Sequence, residues 1–378
     1  MKKPIYLDYN GTTPLDPEVI AAMRPFIETE FGNPSSSHGY GLAPKRAVEF
    51  ARRQMASSLN CSAGSVIFTS GGTESNNHAI KGAALAMKSR GLHIITTRVE
   101  HPAVLQVCRY LESLGFKITY LPVDEDGLVS VSDLENAIGR ETILISVMHA
   151  NNEVGTIQPI EEIASICKEK EICFHTDAAQ SVGKISTDIK RLGVDMLSVA
   201  GHKLYAPKGV GALVVGNRFS PEIFCHGAGQ EFGKRAGTEN VFSIVGLGKA
   251  CELAANNLEH NRLHMKHMRD RLEKGITESL SDARINGHPT MRLPNTLSIS
   301  FAGLAANRLL EKIGLEVAVS AGAACHSNTV EISHVLKAMN IPDHWAKGTL
   351  RFTTGKMTTK KEIDRATDVL IQAVRKLQ

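Results

Sequence analysis

Between Ser65 and Gly216 short apolar runs alternate with helix-like stretches, and this rhythm limits the chain to few folds. The runs are SVIFTS, HIITT, KITYLPV, TILISVMHA, CFHTDAA, MLSVAG and GALVVG. Helical stretches separate most of them, as in Thr73 to Arg90 and Ile160 to Lys170. Strand-sized apolar runs alternating with helices predict βαβ units, and hence a mostly parallel sheet covered by helices on both faces. Past Gly237 the pattern changes. A long helical stretch from Asn240 to about Leu280 reads as a connector, and NTLSISFAG and VAVSAG read as strands around helix-like ANRLLEKIG. A last helix opens with a capping box, Thr359 to Glu362, and runs nearly to Gln378. With 378 residues the chain exceeds one ordinary core. The expected division is a large α/β domain over 1–255 and a smaller α+β C-terminal domain over 256–378, with the first residues free to pack on the small one.

Charge and cysteine usage exclude several classes. The net charge of +4 comes from 43 basic and 39 acidic residues without long single-sign runs, which argues against direct nucleic-acid binding. No window approaches 18 uninterrupted apolar residues, so no membrane span is expected. The opening MKKPIYLDYNGTTPLD has neither the apolar stretch of a signal peptide nor the Arg/Ser-rich character of a transit peptide, and a cytoplasmic enzyme is the expectation. The seven cysteines are Cys61, Cys108, Cys167, Cys173, Cys225, Cys251 and Cys325. Their odd number and the lack of CxxC speak against a disulfide framework or a metal site.

Five segments carry chemistry. Phe68 to Ser75, FTSGGTES, runs from an apolar strand through Gly71 and Gly72 toward a helix. Bare glycine backbone, a helix N-terminus and the Thr73 hydroxyl form a phosphate cradle, although an ordinary tight βα turn has the same form. Asp177 ends the apolar strand ICFHTD, where parallel sheets bind ligands, and Lys203 ends the next one in SVAGHK. A carboxylate that keeps a pyridine nitrogen protonated, together with a lysine of lowered pKa, is the pairing that pyridoxal 5'-phosphate (PLP) sites require. Taken singly, Asp177 could be a helix cap and Lys203 a surface lysine. In VSAGAACHSN, small residues around Cys325 are poor core material and suit a reactive thiol on a flexible arm, with a small buried side chain as the alternative. Arg351, in the strand-like LRFT, can hold a carboxylate bidentately.

YLDYNGTTP, FGNPSS, FTSGGTESNN, VEHPAV, MHANNEVGTIQP, DAAQSVGK, AGHK, RAGTEN, SAGAAC and LRFTTG also follow one another in an order that resembles the cysteine desulfurases and the related selenocysteine lyases. These are class V members of the fold-type I PLP enzymes, and the resemblance runs from Tyr6 to the C-terminal helix. It implies that Lys203 holds PLP, Asp177 pairs with the pyridine nitrogen, His101 stacks on the ring and moves protons, and Gln180 reaches the phenolate oxygen. Gly72, Thr73 and His202 would bind the phosphate, joined by Thr238 from a second subunit of a homodimer. Asn152 and Arg351 would hold the carboxylate of L-cysteine, and Cys325 would take the sulfur as a persulfide for delivery to an acceptor protein.

Several positions depart from the family pattern. Ala200 stands where Ser or Thr is common, which removes a phosphate donor. Ala228 replaces a usual glycine, and Ile332 follows Glu331 where proline is common. His326 makes the arm read Cys-His-Ser, as in some selenocysteine lyases, so a selenocysteine lyase is the alternative activity. A non-catalytic metal or cluster scaffold built on Cys225-His226 and Cys325-His326 is the alternative from another class.

Overall fold

The computed structural model describes residues 3–326 and 329–378, with the side chains of 323–331 outside the description. Seven strands of four or five residues form one sheet in the order Val66–Thr69, Gly211–Val215, Met196–Ala200, Cys173–Asp177, Thr142–Ser146, His93–Thr97, Lys117–Leu121. Gly211–Val215 runs antiparallel to both its neighbours, and the other pairings are parallel. The apolar runs thus form strands as expected. The reversed direction of GALVVG, however, depends on its partners and not on its own pattern.

Alternate residues of each strand feed opposite faces, as the two-residue period of a strand dictates. Phe68, Ile95, Ile145, Phe174, Leu197 and Val214 enter one core, together with Val48 and Met55 of the helix Gly39–Ser58 and Ile244 of Val241–Asn256. Their neighbours Ile67, Ile94, Leu144, Cys173, Met196 and Leu213 enter the other, beneath the helices Gly72–Ala86 and Pro102–Ser113. Each such aliphatic or aromatic side chain contributes about 1.5–3 kcal/mol on burial.

A separate core lies toward the C-terminus. Ser320–Ala321, Thr349–Thr353, Thr296–Phe301 and Ala283–Asn286 form an antiparallel sheet in that order. Leu297, Ile299, Leu350 and Phe352 pack against Leu272 and Ile276 of the helix Leu258–Thr277 and Leu370 and Val374 of Lys360–Leu377. Leu7 joins this core, and the strand Ile5–Tyr6 pairs in parallel with Val317–Ala318.

The stretch expected as one connector helix is two, Val241–Asn256 and Leu258–Thr277. Asn257, at φ −116° and ψ 15°, separates them. Its Nδ2 donates to the Leu253 carbonyl at 2.9 Å, which also accepts from the Asn257 backbone N–H at 3.2 Å, so the asparagine closes the end of the first helix. The final helix has the expected cap. Thr359 N donates to Glu362 Oε2 at 2.8 Å, and Glu362 N donates back to Thr359 Oγ1 at 3.3 Å.

Candidate active site

The parallel strands bring their C-terminal ends to one edge of the sheet, where a cavity of about 320 Å³ opens. That volume suits a small cofactor or substrate. Gly72, Thr73, His101, Asn152, Asp177, Gln180, His202, Lys203 and Arg351 all line it, and so does Ala200. These are nine of the eleven residues singled out from the sequence. Thr238 lies elsewhere, exposed beside Ser70 and Gly237 in a surface depression. Cys325 belongs to the strand Ala323–His326, paired with Thr329–Ile332 so that it faces Val330 in register. Its side chain, like that of His326, lies outside the described residues.

Asp177 is buried at the end of its strand, where Asn76 Nδ2 donates to Oδ2 at 2.6 Å and Ala179 N donates to Oδ1 at 2.9 Å. The two donors fix the orientation of the carboxylate at the strand end. His175, two residues earlier, sits inside the sheet between Ser146 Oγ and Ser198 Oγ, each at 2.9 Å. Burial pushes its pKa down to about 4, so it is a neutral structural histidine.

Lys203 closes the turn Gly201–Lys203 directly after the strand Met196–Ala200. The turn needs glycine at its start, because a Cβ at Gly201 would meet the Val210 carbonyl at 2.8 Å. Lys203 Nζ donates to the carbonyls of Asn10 and Gly11, both at 2.6 Å. Burial, and then the charge of Arg351, lower its pKa to about 8, against the pull of Asp8 and Asp177. His202 falls to about 4, first by burial and then by the charges of Lys203 and Lys208.

His101 caps the helix Pro102–Ser113, its Nδ1 accepting from Ala103 N at 3.1 Å. That bond leaves Nε2 to carry the hydrogen of the neutral ring. Its pKa is lowered, chiefly by desolvation. Glu100 beside it is fully buried, accepts from Thr97 Oγ1 at 2.8 Å and Met148 N at 2.9 Å, and is pushed up to about 8 by burial. Gln180 donates from Nε2 to the Asn10 carbonyl at 3.1 Å and accepts from Lys184 Nζ at 2.8 Å.

At the cradle, a Cβ on Gly72 would lie 3.1 Å from the Ala200 Cβ, so glycine keeps the helix start against the strand end. The N–H groups of the first helical turn have no carbonyl within the helix to donate to. At the opposite rim, Arg351 donates from Nη1 to the Asn152 carbonyl at 3.0 Å, and from Nη2 to Asp8 Oδ1 at 2.7 Å and Ser320 Oγ at 3.0 Å.

The residues that sequence reasoning left without a role are Asn10, Gly11, Asn76 and Lys184. Asn10 bonds through its side chain or backbone to Thr353, Asn152, Thr296, Gln180, Lys184, Lys203 and Asn295. The available signal was YNGTT, a polar glycine-containing stretch directly after an apolar start. Lys184 is buried without a carboxylate partner, and its pKa lies well below the ordinary lysine value because of burial and Lys203. Among the described residues no cluster of three or more His, Cys, Asp or Glu side chains is arranged to hold a metal ion.

Residues 5–366 match the model of the aminotransferase class-V family. Among curated relatives, "Cysteine desulfurase IscS" of Dictyoglomus turgidum is 50% identical over 100% of this chain and 96% of its own length. "Cysteine desulfurase" of Mus musculus is 44% identical over 100% of this chain and 82% of its own. A solved structure titled "NIFS-LIKE PROTEIN" superposes with a TM-score of 0.93 at 37% identity, covering 100% of both chains. Another, titled "SspA in complex with cysteine", superposes with a TM-score of 0.81 at 36% identity, covering 95% of this chain and 100% of its own. A match across nearly the whole chain, together with the shared fold, makes this protein a member of the class V aminotransferase family, in its cysteine desulfurase branch.

Proposed function

We propose that the protein is a PLP-dependent cysteine desulfurase that converts L-cysteine to L-alanine and takes the sulfur onto Cys325. The observation that carries this reading is the placement of Lys203, Asp177 and Arg351 on one cavity of about 320 Å³. A relative whose structure is titled as a complex with cysteine supports it.

The donor set fits PLP. Lys203 has an amine lowered to about 8 and so suited to a covalent link with an aldehyde. Asp177, held in place by two donors, would face the ring nitrogen, and His101 would lie on the ring. Gln180 would reach the ring oxygen, and Gly72, Thr73 and His202 would hold the phosphate. Bound there, PLP supplies an electron sink for the substrate's α-carbon.

Asn152 and Arg351 would grip the substrate carboxylate. His101 Nε2 and Lys203 Nζ would carry protons at the α-carbon. The Cys325 thiolate attacks the substrate sulfur, so an S–S bond forms while the substrate's C–S bond breaks and its electron pair is left on carbon, which takes protons to give alanine. The sum is L-cysteine plus the Cys325 thiol giving L-alanine plus a Cys325 persulfide. An acceptor protein then takes the outer sulfur.

The active unit in this reading is a homodimer, with Thr238 completing the partner's phosphate site. Its support is an exposed apolar set on one stretch of chain, including Phe31, 80% exposed, with Tyr40 and Phe50. Incubating the loaded protein with L-cysteine and quantifying alanine tests the function. Cys325→Ala should bind PLP and cysteine but release almost no alanine; equal turnover by both proteins removes Cys325 from the reaction. Comparing kcat/KM for cysteine and selenocysteine separates the desulfurase from the lyase.

A further inference from the structure

Arg351 meets a carboxylate that belongs to the chain itself. Nη2 donates to Asp8 Oδ1 at 2.7 Å and to Ser320 Oγ at 3.0 Å, while the Ser320 hydroxyl donates to the same Asp8 oxygen at 2.8 Å. Nη1 donates to the Asn152 carbonyl, and Nε is buried without a partner among the described residues. A guanidinium can grip a carboxylate along two edges, Nε with Nη2 or Nη1 with Nη2. Nη1 and Nε share no edge, because Cδ stands between them. Both forks therefore require Nη2, and both of its hydrogens are taken by Asp8 and Ser320.

We propose that Asp8 is an internal stand-in for the substrate's α-carboxylate, occupying Arg351 until the amino acid displaces it. The inference rests on the reading of Arg351 as the carboxylate anchor. Asp8 sits in a turn that covers both cations of the cavity. Its carbonyl accepts from Gly11 N at 2.9 Å, and the carbonyls of Asn10 and Gly11 hold Lys203 Nζ. The turn is tied down by the pairing of Ile5–Tyr6 with Val317–Ala318 just before it. Of the two partners Asp8 is the one that can turn to water, with 24% of its side chain exposed against 12% for Arg351. Exchange of one carboxylate for another leaves the charge on the guanidinium balanced. An amine without a carboxylate has nothing with which to displace Asp8, so the device favours amino acids over simple amines.

The test titrates the PLP-loaded dimer with L-alanine and, separately, with ethylamine, following the cofactor's absorbance. Asp8→Asn, which removes the competing charge, should bind L-alanine about fivefold more tightly and leave ethylamine unchanged. The KM for L-cysteine should fall in parallel with kcat little changed. Ser320→Ala frees one Nη2 hydrogen and should move L-alanine binding the same way by less, which keeps the test alive if Asp8→Asn folds poorly. L-alanine binding that is unchanged or weaker in both variants overturns the stand-in role. Arg351→Gln separates the two levels. If it weakens L-alanine about tenfold or more while neither other variant tightens it, only Asp8 has been misread. If it leaves L-alanine binding unchanged, the anchor and the stand-in fall together.

Discussion

Lys203 has its amine buried beside the charge of Arg351, and both bring its pKa down to about 8. A lysine attacks an aldehyde only when unprotonated. With a pKa of about 8, the rate of PLP capture by cofactor-free protein should rise as pH climbs through about 8 and level off above it. Growth of visible absorbance after mixing reads that rate. A midpoint near the ordinary lysine value of about 10.4 would mean that burial and Arg351 do not act as described. Because the charge of Arg351 is the second cause of the shift, Arg351→Gln should move the midpoint upward. Ala200 offers a second residue-scale test. Its side chain lines the cavity next to Gly72 and brings no donor. Ala200→Ser adds one hydroxyl there and should tighten PLP binding about tenfold, as one hydrogen bond to a charged phosphate is worth about 1.5 kcal/mol. Unchanged affinity by equilibrium dialysis would place the phosphate away from that strand end.

The C-terminal helix Lys360–Leu377 packs Ile363, Leu370 and Val374 into the second core, and its first turn is closed by the reciprocal bonds of Thr359 and Glu362. Thr359→Ala removes the cap and should lower stability by about 1 kcal/mol, read as a lower urea midpoint with an unchanged slope. This cap was legible in the sequence because all its partners lie within four residues. The seven strands were legible for a related reason, since each is a short apolar run with turn residues at its end. The same runs make Asp177 legible at a strand end, and Lys203 three residues past the next one. What stayed hidden depends on distant partners. Nothing local in GALVVG distinguishes an antiparallel strand from a parallel one, and Asn257 looks like any polar position on an exposed helix. Asn10 and Gly11 reach Lys203 across more than 190 positions, according to the separations of their hydrogen bonds. No pattern of spacing within the first residues announces such a contact.

At the scale of the whole molecule, Thr238 lines a depression of its own and not the cavity, so within one chain the phosphate cradle lacks that hydroxyl. If a partner supplies it, PLP binding and dimerisation are linked, and each strengthens the other. Mixing Lys203→Ala chains with Thr238→Ala chains tests this. Sharing across the interface gives each mixed dimer one site whose lysine comes from the Thr238→Ala chain and whose threonine comes from the other, with wild-type PLP affinity. Mixed dimers that always show the threonine defect, or a fully active monomer in sedimentation, count against sharing. The route of the first residues has a consequence of another kind. Residues 5–13 are made well before Val317–Ala318 and Thr353, which are among their partners. The large sheet can close during synthesis, while the turn that steadies Lys203 and Arg351 has to wait for the final strands. A chain interrupted before residue 317 therefore carries its reactive lysine on a finished sheet, beside a turn that still lacks its tether, and the fully steadied site waits for residues 317–353.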